Sequence, residues 1–196
     1  MWAKAEEFLS KDKLIGPLIK KYGPCKIKPR DKKLYFEDLV DSITGQQLSG
    51  KAAATIFGRL KTEVGSLTPE NILEAKDENL RKCGLSWAKV KYVKDLALRV
   101  KDGRLKVGIL DKLSDEEISK ELVAVKGIGQ WTADMFLMFT LARADIFPSL
   151  DLGIKNGVKK LTGKELKPKE LFEFGKRFAP YRTVAAWYIW ASLDNS

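Results

Sequence analysis

Nothing in this chain alternates apolar and polar residues with period two over a useful length; apolar positions recur at helical spacings between glycine and proline punctuation. The pattern predicts an all-α fold. Ser10 is placed to cap a helix over Lys11 to Lys21 that Gly23-Pro24 closes. Tyr35 to Ile43 runs into the segment SITGQQLSGKAA, after which Lys51 to Val64 is helical up to Gly65. Thr68-Pro69-Glu70 opens a short helix and Asp77 to Lys82 makes another. Trp87, Val90, Val93, Ala97 and Val100 mark one face of a helix ending before Asp102-Gly103, and Ser114-Asp-Glu-Glu opens the next.

Two later helices are apolar on more than one side. In Gln130 to Arg143 the stripe Trp131, Met135, Met138, Ala142 is joined by Phe136, Leu137 and Phe139 on other faces, so this helix is expected at the centre of the fold. Within Pro180 to Leu193, Tyr181, Val184 and Tyr188 share one face while Trp190 points the opposite way. The basic stretch Lys20 through Lys33 reads as a solvated connection. With no internal repeat, linker or composition break, residues 1–196 are expected to form one compact domain.

Charge changes this picture first. The 196 residues carry 36 Lys and Arg against 26 Asp and Glu, a net charge of +10 and a pI near 9.5. A polyanionic partner or a lysine-rich solvated surface would both produce that balance. Cys25 and Cys83 are far apart and belong to no C-x-x-C pair, so zinc or iron–sulfur ligation has no framework, and no metal site is assigned. The absence of histidine removes Ser-His and Cys-His triads, histidine bases and H-E-x-x-H sites together. Acid–base chemistry must then rest on carboxylates, lysines, tyrosines or thiols. The N-terminal MWAKAEEFLSKDK is charged too early for a signal peptide. The longest apolar run, Val184 to Ala191, is far short of the roughly 20 residues that span a bilayer. An intracellular soluble protein without a membrane partner is the expectation.

The stretch AVKGIGQWTADMF, from Ala124 to Phe136, then draws the eye. A helix that stops at Gly-x-Gly and restarts at once presents several backbone N–H groups beside a positive dipole end, which suits an anion. Gly127 and Gly129, flanking Ile128, carry no side chain to hold a phosphate away, and Lys126 adds a point charge. Such contacts grip a nucleic-acid backbone without reading bases. A plain glycine C-cap between packed helices would have the same sequence.

About twenty residues on, PSLDLG contributes the single aspartate Asp151. With this addition the chain resembles the helix-hairpin-helix (HhH-GPD) DNA glycosylase superfamily. The stretch ELVAVKGIGQWTADMFLMFTLARADIFPSLDLGIKNGVKKL, with SITGQQLSGKAA, CGLSWAKVKYVKDLA and PYRTVAAWYIW, is most similar to the 3-methyladenine DNA glycosylase II branch, over about Tyr35 to Trp190. The resemblance implies two helical lobes around a DNA cleft: a hairpin lobe over residues 44–147, and a second built from 1–43 with 148–196. It implies base excision repair by a monomer on double-stranded DNA, in cytoplasm, nucleoid or nucleus, with no cofactor, although some relatives hold a monovalent cation in the hairpin.

Roles follow position by position. Relatives that also cut the strand carry a lysine nucleophile where this chain has Trp131, and tryptophan cannot form a Schiff base, so the expected enzyme releases a base and leaves the abasic sugar. Trp131 and Trp190 fall at the base-pocket tryptophans, where an indole face attracts a cationic alkylated purine by about 0.5–2 kcal/mol. Met135 stands where this branch can carry tyrosine. Gln47, with Leu48 beside it, takes the position that fills the gap left by an extruded base, and Ser86 and Lys89 take positions that contact phosphates. Asp151 matches the catalytic carboxylate that stabilises an oxocarbenium-like sugar and handles the attacking water; it can equally cap the helix that follows. Two alternatives remain: a non-catalytic module binding abasic or distorted DNA, and a glycosylase for hypoxanthine, uracil or an oxidised purine.

Overall fold

The computed structural model describes residues 1–193 and, among these, contains α-, 3-10 and π-helices and no β-strand. The α-helices are α1 (Ala3–Leu9), α2 (Ile15–Tyr22), α3 (Tyr35–Gly45), α4 (Gly50–Val64), α5 (Pro69–Glu74) and α6 (Asp77–Lys82). They continue with α7 (Trp87–Lys101), α8 (Asp115–Val123), α9 (Gln130–Met135), α10 (Leu152–Thr162), α11 (Pro168–Gly175) and α12 (Arg182–Ala191). None of the described helices is long and apolar enough to cross a membrane. The all-α reading holds, and its caps are where local chemistry puts them. Thr68 accepts from Asn71 N–H ahead of α5, and Ser114 and Glu117 close a reciprocal capping box on α8.

The chain divides into two units, one from Met1–Pro29 with the segment from Leu137 onward, the other Arg30–Phe136. The expected boundaries at 43/44 and 147/148 therefore move. The α3 helix buries Phe36, Leu39, Val40 and Ile43 inside the second unit, against α4 and α7. Residues 194–196 of the expected second lobe lie outside the described residues.

Four sequence expectations change. Ser10 ends α1 instead of opening a helix: its hydroxyl donates to Glu7 O, and Asp12 Oδ1 accepts from Leu14 N–H and Ile15 N–H, which delays α2 to Ile15. The helix expected over Gln130 to Arg143 leaves α-geometry at Phe136, where a π-helical turn runs to Thr140, and Ala142 then takes a φ of 53°. Phe136, Leu137 and Met138 are all buried, whereas Trp131 and Phe139 are each 40% exposed, so no single stripe faces the core. Trp87, read on one face with Val90, Val93, Ala97 and Val100, is 52% exposed at the first position of α7, whereas Val90, Val93 and Ala97 are buried. The Lys20–Lys33 stretch is only partly solvated, since Cys25 and Ile27 are buried and Ile27 O accepts from the Trp2 indole N–H.

In the first unit, α12 packs on α2 and α10. Its buried Tyr188 hydroxyl donates between Glu6 Oε1 at 3.0 Å and Gly23 O at 2.9 Å, satisfying the one polar atom that its burial would otherwise strand.

Candidate functional site

The glycine turn between α8 and α9 is built from inside its own unit. Gly127 sits at φ 82°, and a Cβ there would lie 2.2 Å from Tyr92 Cδ2, so both backbone conformation and space exclude a side chain. Gly129 is the N-cap of α9. Lys126 N–H donates to Asp95 Oδ2 at 2.9 Å, and Asp95 also receives Arg99 Nε at 2.9 Å. Burial would raise the Asp95 pKa, but these two donors outweigh it and hold the carboxyl below its ordinary range. Ile128 is buried and spends its N–H on Val125 O, so it anchors the turn and offers no contact surface. The N–H groups of the exposed Gly127 and Gly129 meet no acceptor among the described residues. The turn thus bares two amides and the Lys126 ammonium, and the Lys126 and Ile128 amides turn inward.

After α3 the chain makes a tight turn in which Leu48 N–H donates to Gly45 O at 3.1 Å. Gln47 occupies its apex at φ 59°, an unusual conformation for a residue with a Cβ and one that costs on the order of 1 kcal/mol. Gln47 and Leu48 are exposed. Gln46, which the sequence reading did not place in the site, donates from Nε2 to Gly127 O at 2.8 Å. Ser86 caps α7 by accepting from Lys89 N–H. The Lys89 ammonium donates to Thr44 O at 2.7 Å and Gln46 O at 2.6 Å, and burial lowers its pKa. Where the resemblance implies a phosphate contact, the ammonium in this structure bonds two carbonyls at the C-terminal end of α3.

Trp131 presents its indole at the start of α9, and Met135, one turn on and half-buried, shares its side of the helix. Between them Asp134 points inward, 8% exposed, with Gln130 Nε2 2.8 Å from its Oδ1. Burial pushes its carboxyl up to about 6 against the smaller opposing pull of Gln130.

Asp151 belongs to the other unit. The preceding loop is tied to the first turn of α12: Arg182 makes a two-pronged ion pair with Asp145 at 2.7 and 2.9 Å, Thr183 N–H donates to Ala144 O, and Ile146 N–H donates to Thr183 Oγ1. Two short turns, Ser149 N–H to Phe147 O and Asp151 N–H to Pro148 O, then deliver Asp151 to the head of α10. Its Oδ1 accepts from Ile154 N–H at 2.8 Å and from the Trp190 indole N–H at 2.8 Å. Capping and the Trp190 bond fix the carboxylate together. Trp190 therefore lies beside the aspartate, with Phe139 5.6 Å from it between ring centroids. Gly153 makes room for both: a Cβ there would be 2.8 Å from Trp190 Nε1 and 2.9 Å from Asp151 Oδ1. Asp145, Arg182 and Thr183 escaped the sequence reading because nothing local marks residues that pair across 37 positions. No group of three or more Cys, Asp or Glu suited to hold a metal ion occurs among the described residues.

The sequence model of the family described as HhH-GPD superfamily base excision DNA repair protein matches residues 40–180. The chain is 34% identical to the alkylbase DNA glycosidase-like protein mag2 of Schizosaccharomyces pombe, over 96% of this chain and 92% of mag2. The structure of S. pombe 3-methyladenine DNA glycosylase Mag1 in complex with abasic DNA superposes with a TM-score of 0.85 at 36% identity, covering 96% of this chain and 95% of that one. A DNA-3-methyladenine glycosidase from Bacillus halodurans gives 0.86 at 36% identity, covering 98% and 90%.

Proposed function

The chain belongs to the HhH-GPD superfamily of base excision DNA repair proteins, and we propose that it is a monofunctional glycosylase that removes alkylated purines of the 3-methyladenine and 7-methylguanine type from double-stranded DNA. The observation that carries the chemistry is the carboxylate of Asp151 held by Ile154 N–H and Trp190 Nε1 at the head of α10. A carboxylate oriented before the substrate arrives stabilises positive charge as it develops on the deoxyribose, with no reorganisation during the reaction. In the step itself the C1′–N bond breaks with its electron pair leaving on the base, which is cationic when alkylated at N3 or N7 and departs neutral. Water adds to C1′ and loses its proton, with Asp151 positioned to orient it or accept that proton. The substrate's own charge supplies the activation that histidine or a metal would supply elsewhere.

Recognition rests on the other unit. The exposed Trp131 face suits a flipped, electron-poor purine, and Met135 beside it makes an apolar receptacle. Gln47 at the apex of its turn fills the space in the duplex that extrusion opens, while the Gly127 and Gly129 amides with Lys126 hold the phosphodiester backbone. The names of the relatives point to the same substrates: mag2 is called alkylbase DNA glycosidase-like, and the Mag1 structure holds abasic DNA, the product of base removal. Trp131 stands in for a lysine nucleophile, so strand cleavage is not expected; the protein acts as a monomer without a cofactor.

The test is release of free base from duplex DNA methylated at purine N3 and N7, by wild type and by Asp151→Asn. Release by the wild type and its loss in a folded, DNA-binding variant support the proposal. Release by neither, with DNA binding intact, would leave a module that binds abasic or distorted DNA. A covalent adduct trapped by borohydride would contradict the monofunctional reading.

A further inference from the structure

Within the Arg30–Phe136 unit, the apex turn at Gln47 and the glycine turn at Gly127 are linked by a continuous chain of strong hydrogen bonds. Lys89 Nζ reaches Thr44 O at 2.7 Å and Gln46 O at 2.6 Å, and Gln46 Nε2 reaches Gly127 O at 2.8 Å. On the far side of the glycine turn, Lys126 N–H is fixed to Asp95, which lies further along α7 than Lys89. The α7 helix thus braces both turns. We propose that Lys89 and Gln46 are positioning residues for base extrusion, holding Gln47 in its left-handed conformation at a set distance from the phosphate-gripping turn. This rests on the glycosylase reading above and adds to it a specific mechanical part.

The physical case has three steps. Carbonyls at the C-terminal end of α3 carry the negative end of the helix dipole, and an ammonium placed there satisfies two of them at once. Gln47 at φ 59° holds a conformation that its own Cβ disfavours, so its neighbours must impose it. Lys89 grips the carbonyl of the residue immediately before Gln47, and Gln46's own side chain is tied to Gly127 O, which leaves Gln47 little freedom to relax. When the glycine turn closes on a phosphate, a rigid link carries the wedge side chain to the same nucleotide; a loose one lets it retreat and spends binding energy on ordering the turn instead.

Lys89→Met keeps the aliphatic stem and removes the ammonium, and Gln46→Ala cuts the second link. Single-turnover release of 7-methylguanine is to be measured from a duplex and from a single strand of the same sequence, where no partner strand resists extrusion. A loss of about 10- to 100-fold on the duplex, with less than about threefold on the single strand, supports the positioning role. An equal loss on both would make Lys89 an ordinary structural residue and overturn the inference, as would an unchanged duplex rate. Lys89→Arg, which can still donate to two carbonyls, should recover most of the duplex rate, and the Lys89→Met/Gln46→Ala pair should lose less than the product of the single losses. Extrusion is read separately from 2-aminopurine fluorescence in the bound duplex. Wild-type binding should raise it and Lys89→Met should not, at matched saturation. If wild type releases no base yet shows that difference, the glycosylase reading fails and the strut stands; no difference overturns the strut.

Discussion

The two units hold their functional groups in contrasting ways. In the unit containing Asp151, one oxygen receives two donors, the indole of Trp190 from 39 residues away and an amide of its own helix, and Gly153 leaves the space that lets them approach. In the Arg30–Phe136 unit the anchors point the other way. Asp95, Gln46 and Lys89 bind the inward side of two turns and leave the Gly127 and Gly129 amides, Lys126 and Gln47 facing out. A reacting charge gains from being fully constrained before substrate arrives, whereas a surface that grips a polyanion gains from donors kept unspent until binding.

That contrast can be broken by mutation, and the losses should fall in order. Asp151→Asn should reduce base release by about 10²–10³-fold or more with DNA affinity within a few-fold, since it removes the charge and keeps the shape. Loss of affinity on the same scale would mean the aspartate holds the fold. Gly153→Ala comes next: the added methyl must displace Trp190 or Asp151, so single-turnover release should fall by about 10–100-fold while binding to undamaged duplex is unchanged. An unaffected rate would show that the Trp190–Asp151 bond does not position the carboxylate.

Trp131→Ala tests the recognition surface. A cation–π contribution of about 0.5–2 kcal/mol corresponds to roughly 2- to 30-fold in release of a cationic purine, read against DNA binding measured by anisotropy. Equal losses in both would identify the exposed indole as a general DNA contact instead of a base receptacle.

A last prediction concerns stability and leaves the catalytic comparison untouched. Asp134 has a folded pKa of about 6 against 3.8 unperturbed. Between those values the native state binds more protons than the unfolded state, so its contribution to stability is most favourable at acid pH and is lost as pH rises through about 6. Asp134→Asn should remove that dependence and stabilise the protein at pH 8 by on the order of 2 kcal/mol in urea unfolding, while retaining the contact with Gln130. A variant no more stable than wild type at pH 8 would show that the carboxylate is compensated in its ionised form.

How far the sequence could be read follows from the range of the interactions involved. Helix class, most helix starts and the glycine turn were legible because capping, periodicity and glycine conformations are decided within a few residues: Thr68, Ser86 and Ser114 each bond an amide three positions on. Ser10 misled because Asp12, two residues later, competes for the same helix start. The helix over Gln130 to Arg143 misled because its apolar residues are distributed over several faces, a pattern that periodicity alone cannot tell from a break at Phe136. For the candidate site, residue types and approximate positions were readable, but not what each side chain touches. Lys89 looks like any surface lysine until α7 packs beside α3 and offers it two carbonyls.

By itself, then, the sequence determined an all-α chain, a basic surface, chemistry without histidine, and a carboxylate and a glycine turn of a recognisable kind, since all of these depend on composition or on neighbours a few residues apart. Only the tertiary structure decided that Trp190 donates to Asp151, that Asp95 and Gln46 secure the glycine turn, and that the Lys89 charge faces inward. Those bonds join residues 31 to 81 positions apart, and a donor chooses its acceptor only after packing has removed competing water and brought both within 3 Å.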